Sequence, residues 1–183
     1  MVTFEQVKQV ILPEALWQQI VEHCKRKHEG QYLNGESKTG RAYGLLAGTK
    51  DQHTLKVQRL FSFKKNVRDQ EPYKTHMDLL MEQYAVPSKT PLSSRGWITD
   101  PEELKACYDA CDQESLTVFG TYHAHYVGWK HDPMRDTPTL LDTVLARNSN
   151  LFSFIISMVN LAHPGIKAFY EGSPEREVPI IVR

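Results

Sequence analysis

The order of apolar segments constrains this chain most. Its first two thirds alternate between strand-like and helix-like stretches. Its last third holds three strand-like runs in close succession, "LFSFIISMVN", "GIKAFYEG" and "EVPIIV". Proline and glycine punctuate the early alternation. "QVKQVIL" (6–12) reads as a short strand, and Pro13 then opens a helix in which Leu16, Ile20, Val21 and Cys24 recur at helical spacing before Gly30 stops it. "AYGLLAG" (42–48) and "TLKVQRLFSF" (54–63) read as paired strands joined by "TKDQH", and 72–85 as a helix. Asp100 and Pro101 mark a helix start, and "SLTVFGTYHAH" (115–125) reads as a strand. "PTLLDTVLARN" (138–148) is expected to be helical, with Thr137 as its cap. Strands alternating with helices imply an α/β domain: a three-layer-like mixed β-sheet with flanking helices.

At 183 residues the chain is long enough for one domain (1–183) with a sizeable core, and the Pro- and Ser-rich stretch 86–101 reads as a long loop insertion. Formal net charge is zero, which argues against a nucleic-acid footprint or an anionic membrane surface. No apolar run is long enough to span a bilayer. The first 16 residues, with Glu5 and Lys8 among their apolar residues, do not read as a secretory signal. Three cysteines are too few, and odd in number, for a disulfide framework. The expected compartment is the cytoplasm. Cys107 and Cys111, four apart on the third helix, read as small buried apolar residues.

The candidate chemistry lies in "GTYHAHYVGWKHDPMRDTPTLLD" (120–142). Residues i and i+2 of a strand share a face, so His123 and His125 offer two imidazoles side by side at its C-terminal end. Thr139 and Asp142 are three apart at a helix start. Asp142 is thereby a candidate third ligand. Two imidazoles and one carboxylate suit Zn²⁺ with the fourth position open, the pattern of a catalytic rather than a structural site. Such an ion lowers the pKa of a coordinated water to roughly 7. Thr139 could donate its hydroxyl to a developing oxyanion. His131 and Asp132 offer a further ligand or base. Trp97 and Trp129 could each grip a substrate or simply pack.

These motifs resemble the JAMM/MPN family of zinc metalloproteases, whose signature is His-x-His, a loop and Ser-x-x-Asp. "VFGTYHAH" and "PTLLD" stand at the matching places, "ILPEALWQQIVEHC" resembles the family's opening strand and helix, and "YGLLAG" its glycine-containing strand. The resemblance implies a cytidine deaminase-like fold and a bacterial-type member. It also implies hydrolysis of a peptide or isopeptide bond at the tail of a ubiquitin-like or sulfur-carrier protein. Deamination itself is not implied, because the Pro-Cys-x-x-Cys zinc motif is absent. The family's general-base glutamate falls three residues before the glycine of that strand, where this chain has Arg41. Arginine cannot serve as that base. Glu36, reached by a loop fold-back, Asp132 or Asp136 would have to substitute. If none does, the implied alternative is a catalytically impaired scaffold that binds a metal or a protein partner. Three further departures are the long histidine-to-threonine loop, Tyr126 in place of proline, and Thr139 in place of serine.

Overall fold

The computed structural model describes residues 3–183. Eight strands form one mixed sheet: β1 (Gln9–Leu12), β2 (Tyr43–Asp51), β3 (Thr54–Ser62), β4 (Thr117–His125), β5 (Phe152–Ser157), β6 (Gly165–Tyr170), β7 (Glu177–Val178) and β8 (Ile180–Val182). Four α-helices accompany them: α1 (Glu14–His28), α2 (Tyr73–Tyr84), α3 (Pro101–Gln113) and α4 (Leu140–Ala146). Strand order is β7-β6-β5-β4-β2-β3-β1-β8. β1 pairs in parallel with β3 and β8, β4 pairs in parallel with β5, and the other pairs are antiparallel.

This sheet corrects the expected three-layer sandwich of cytidine deaminase type. It curls until β6 and β8, from opposite flanks, come into contact, leaving a nearly closed barrel. One apolar cluster lies on the face of the sheet that α1 covers. It takes Val10 and Leu12 from β1, Leu46 from β2, Leu55 and Val57 from β3, Tyr122 from β4, Phe154 and Ile156 from β5, and Ala168 from β6. Ile20 and Cys24 carry α1 into the same cluster. Burying each large apolar side chain here contributes about 1.5–3 kcal/mol. Separate segments of alternating hydrophobicity are compatible with a flat or a closed sheet. Curvature depends on which edges meet, and local periodicity does not encode that.

The opposite face holds a smaller cluster, in which Tyr43, Leu45, Phe63 and Val118 pack against Cys107, Cys111 and Leu104 of α3. The two cysteines are free and buried, and burial pushes the Cys107 thiol up to about 11. They therefore act as apolar packing residues.

Local expectations held in most places. Asp100 caps α3 by accepting the Glu103 N–H at 3.0 Å, and Gly30, at φ +73°, ends α1. The β2–β3 connection is tighter than the expected "TKDQH" loop: β2 runs on to Asp51 and only Gln52 and His53 turn, Gln52 at φ +52°. Gly44 has no room for a side chain, since a Cβ there would lie 2.5 Å from the Tyr122 ring. Among the described residues, no helix is long and apolar enough to cross a membrane.

Candidate metal centre

β4 brings the two histidines out on the face of the sheet that Tyr43 shares. His123 pairs with Tyr43 of β2 and Ile155 of β5, and His125 lies opposite Ser157. The chain then leaves through the loop 126–139 and returns as α4. That helix starts two residues later than expected. Its cap is Thr139 rather than Thr137, because Thr139 and Asp142 form a reciprocal capping box. The Thr137 hydroxyl instead donates to Asp132 Oδ2 at 2.8 Å.

The result is a cluster of three donors. His123 Nε2 lies 3.1 Å from His125 Nε2 and 3.4 Å from Asp142 Oδ1. All three ligand atoms fall within 4.8 Å of one another, the one such cluster among the described residues. Ligands at tetrahedral zinc distances stand about 3.3 Å apart, so the spacing suits a small divalent cation. The carboxylate is oriented for it. Thr139 N–H and Thr139 Oγ1 both donate to Asp142 Oδ2 at 2.7 Å, which leaves Oδ1 facing His123. His125 is oriented too: its Nδ1 donates to the Arg135 carbonyl at 2.9 Å, so in the neutral ring the Nε2 lone pair faces the cluster. His123 Nδ1 is buried without a partner among the described residues, and this ring is positioned by packing, with Trp97 at 6.0 Å between centroids.

The electrostatics favour the ligating forms. Burial, then the His123 charge, push His125 down to about 3. Burial works against the Asp142 charge, but His123, His125 and the Thr139 N–H outweigh it and hold the carboxyl well below the usual carboxylate range. A neutral His125 imidazole and an ionised Asp142 carboxylate are states a cation needs.

Two cavities meet at these residues. One, of about 350 Å³, is lined by Arg41, Arg95, Arg135, Trp129, Thr139 and the three donors. The other, of about 440 Å³, is walled mainly by apolar residues, among them Phe63, Met77, Leu104 and Leu145. His123, Asp142, Trp97 and Leu141 border both.

The structure places His123, His125, Asp142 and Thr139 together. It does not bring Glu36 to them. Glu36 accepts both Nη atoms of Arg26, at 2.6 and 2.8 Å, and the Leu33 N–H at 2.9 Å, and it does not line the cavity. Asp136 pairs with Lys167 at 3.2 Å, and Asp132 with the Thr137 hydroxyl. His76 is exposed on α2, and His131 lies beside Trp129 outside the cluster. Arg41 lines the cavity and donates from Nη2 to the Ser94 carbonyl. Arg135 escaped the sequence reading. Nothing in "DPMRDT" distinguishes it from a solvated loop arginine, because its carbonyl reaches His125 only through the path of the loop.

No family model matches the chain, and none of the curated proteins does. Among solved structures, the solution structure of protein DSY2949 from Desulfitobacterium hafniense is similar at a TM-score of 0.61, covering 95% of this chain and 92% of that one at 18% identity. At that identity the likeness carries the fold alone.

Proposed function

We propose that His123, His125 and Asp142 hold a divalent cation, zinc first, and that the protein is a metallo-hydrolase of JAMM-like chemistry. Its substrate would be a peptide or isopeptide bond at the tail of a ubiquitin-like or sulfur-carrier protein. One observation carries the metal reading: three donors, two of them fixed by hydrogen bonds that turn their lone pairs toward one point. Two imidazoles and a carboxylate suit zinc better than magnesium or calcium, which favour all-oxygen sites. When bound, such an ion supplies Lewis acidity, polarising a carbonyl and lowering the pKa of water.

This chain's own residues do the rest. Thr139 holds Asp142 Oδ2, and its hydroxyl is committed to that carboxylate rather than free for an oxyanion. Trp97, stacked on Tyr43 at 4.5 Å, shields His123 from one side. In hydrolysis the water oxygen joins the carbonyl carbon, the C–N bond breaks, and the nitrogen takes up a water proton. Among the described residues, no carboxylate other than Asp142 lines the cavity to carry that proton.

That gap favours a second reading, a metal-binding scaffold with little or no turnover. General acid–base help is worth about 10²- to 10⁴-fold in rate, so its loss would make the hydrolase slow.

Elemental analysis of the purified chain tests the metal reading. One zinc per chain in wild type, lost in His123→Ala and Asp142→Ala, is expected. Absence of any bound metal after zinc is supplied would sink it. Turnover of a ubiquitin-like fusion by the zinc-loaded chain then separates the hydrolase from the scaffold.

A further inference from the structure

The arginine-lined cavity has a one-sided charge. Arg41, Arg95 and Arg135 contribute to its wall, and among the described residues Asp142 is its only carboxylate. Arg41 and Arg95 each give an Nη2 to a loop carbonyl, of Ser94 and Val86 respectively. Arg135 differs. The residue is only 8% exposed, and its guanidinium lies 3.5 Å from the Trp129 ring centroid. Its Nη1 is buried with no hydrogen-bond partner among the described residues, and the nearest carboxylate oxygen among them, on Asp132, is 3.9 Å away. A buried guanidinium N–H without an acceptor is unfavourable, and an acceptor carried by a ligand would relieve it. Trp129 fixes the plane of the group, so little side-chain freedom remains to be lost on binding.

The other cavity is chemically opposite. Phe63, Met77, Leu104 and Leu145 give it an apolar wall, and it reaches the same His123 and Asp142 from the other side of Trp97. A bond lying at the donor cluster would therefore have a cationic chamber on one side and an apolar one on the other.

We infer that the substrate is an amide with a free carboxylate on one side of the scissile bond and a bulky apolar group on the other. The carboxylate enters the arginine cavity at Arg135, and the apolar group enters the cavity beneath α3 and α4. This rests on the metallo-hydrolase reading for its chemistry, but its recognition elements are independent of the metal. A guanidinium fork donates to carboxylate or phosphate oxygens. Carboxylate is assigned because it is the anion that peptides carry.

Isothermal titration calorimetry on the full chain, as purified and after chelation, tests it with four probes: phenylacetylglycine, its C-terminal amide, N-acetylglycine and inorganic phosphate. In the chelated protein the acid should bind about tenfold or more tighter than the amide, the size of one charge-assisted hydrogen bond. It should also bind tighter than N-acetylglycine, which lacks the ring. Arg135→Gln should erase the preference of acid over amide, and Arg135→Lys should retain part of it. Melting curves establish that each variant is folded. Equal affinity for acid and amide, or a preference that survives Arg135→Gln, overturns the assignment. Inorganic phosphate binding tighter than phenylacetylglycine also overturns it. Zinc content of the same samples reports separately on the metal. A zinc-free chain that still prefers the acid loses the hydrolase reading and keeps the anion site. A zinc-loaded chain with no such preference keeps the centre and loses this proposal.

Discussion

Thr139 and Asp142 hold each other: Thr139 donates to Asp142 Oδ2 from its backbone N–H and its hydroxyl, both at 2.7 Å, and the same hydroxyl accepts the Asp142 N–H at 3.3 Å. One contact thus caps α4 and aims Oδ1 at His123, coupling a local folding rule to the candidate site.

Removing that hydroxyl should affect both roles. Thr139→Val keeps the shape but leaves only the backbone N–H on Oδ2. The expected loss is about 1 kcal/mol of stability from the cap, and about 10- to 100-fold in zinc affinity from the freed carboxylate. Thr139→Ser should behave nearly as wild type. Denaturation with a competing zinc chelator reads both quantities. Unchanged zinc affinity in the valine variant would show that Asp142 is held some other way.

Glu36 should matter for stability and not for the metal. Its carboxylate is buried against Arg26 and Lys27. Burial raises its pKa, but Arg26, the Leu33 N–H and Lys27 outweigh that and bring it down to about 2. Glu36→Gln should cost about 3 kcal/mol in unfolding free energy, because Arg26 and Lys27 lose their shared anion, while bound zinc stays at the wild-type level. A selective loss of catalysis with stability intact would instead restore Glu36 as a base acting from a rearranged loop.

His23 should give the protein an acid limit. The ring is 4% exposed, with Nδ1 2.7 Å from the Tyr122 hydroxyl. Burial first, then Arg26 and Lys27, depress it from 6.5 to about 4. The folded state therefore binds fewer protons than the unfolded chain in that window. The contribution is fully present above pH 6.5 and is lost as pH falls through about 4. His23→Phe should flatten the stability–pH slope there by up to about 1.4 kcal/mol per pH unit, leaving the share due to His125. Parallel slopes for variant and wild type in urea titrations would contradict this.

Arg68 should control the long loop that walls the arginine cavity. Its guanidinium, 1% exposed, donates to the Leu92 and Arg95 carbonyls at 2.8 Å and also pairs with Asp69 and Asp78. Arg68→Met removes all these bonds. Cleavage by a protease within 86–96 should rise, and stability should fall by about 3–5 kcal/mol, the cost of breaking a buried charge network. Resistance equal to wild type would show that the loop is held by other contacts.

What the sequence determined by itself was local. The start of α3 at Asp100, the stop at Gly30 and the shared face of His123 and His125 follow from dihedral preferences and hydrogen-bond reach within a few residues. The tertiary structure decided the rest. It curled eight strands into a nearly closed barrel, since closure depends on the meeting of β6 and β8 across the molecule. It set the cap of α4 at Thr139 rather than Thr137, where Thr139 and Asp142 cap each other and the Thr137 hydroxyl goes to Asp132. It gave Glu36 to Arg26 and turned Arg135 inward over Trp129. Thr137, Glu36 and Arg135 each had several partners within reach of their own segments, and the path of the loops selected one.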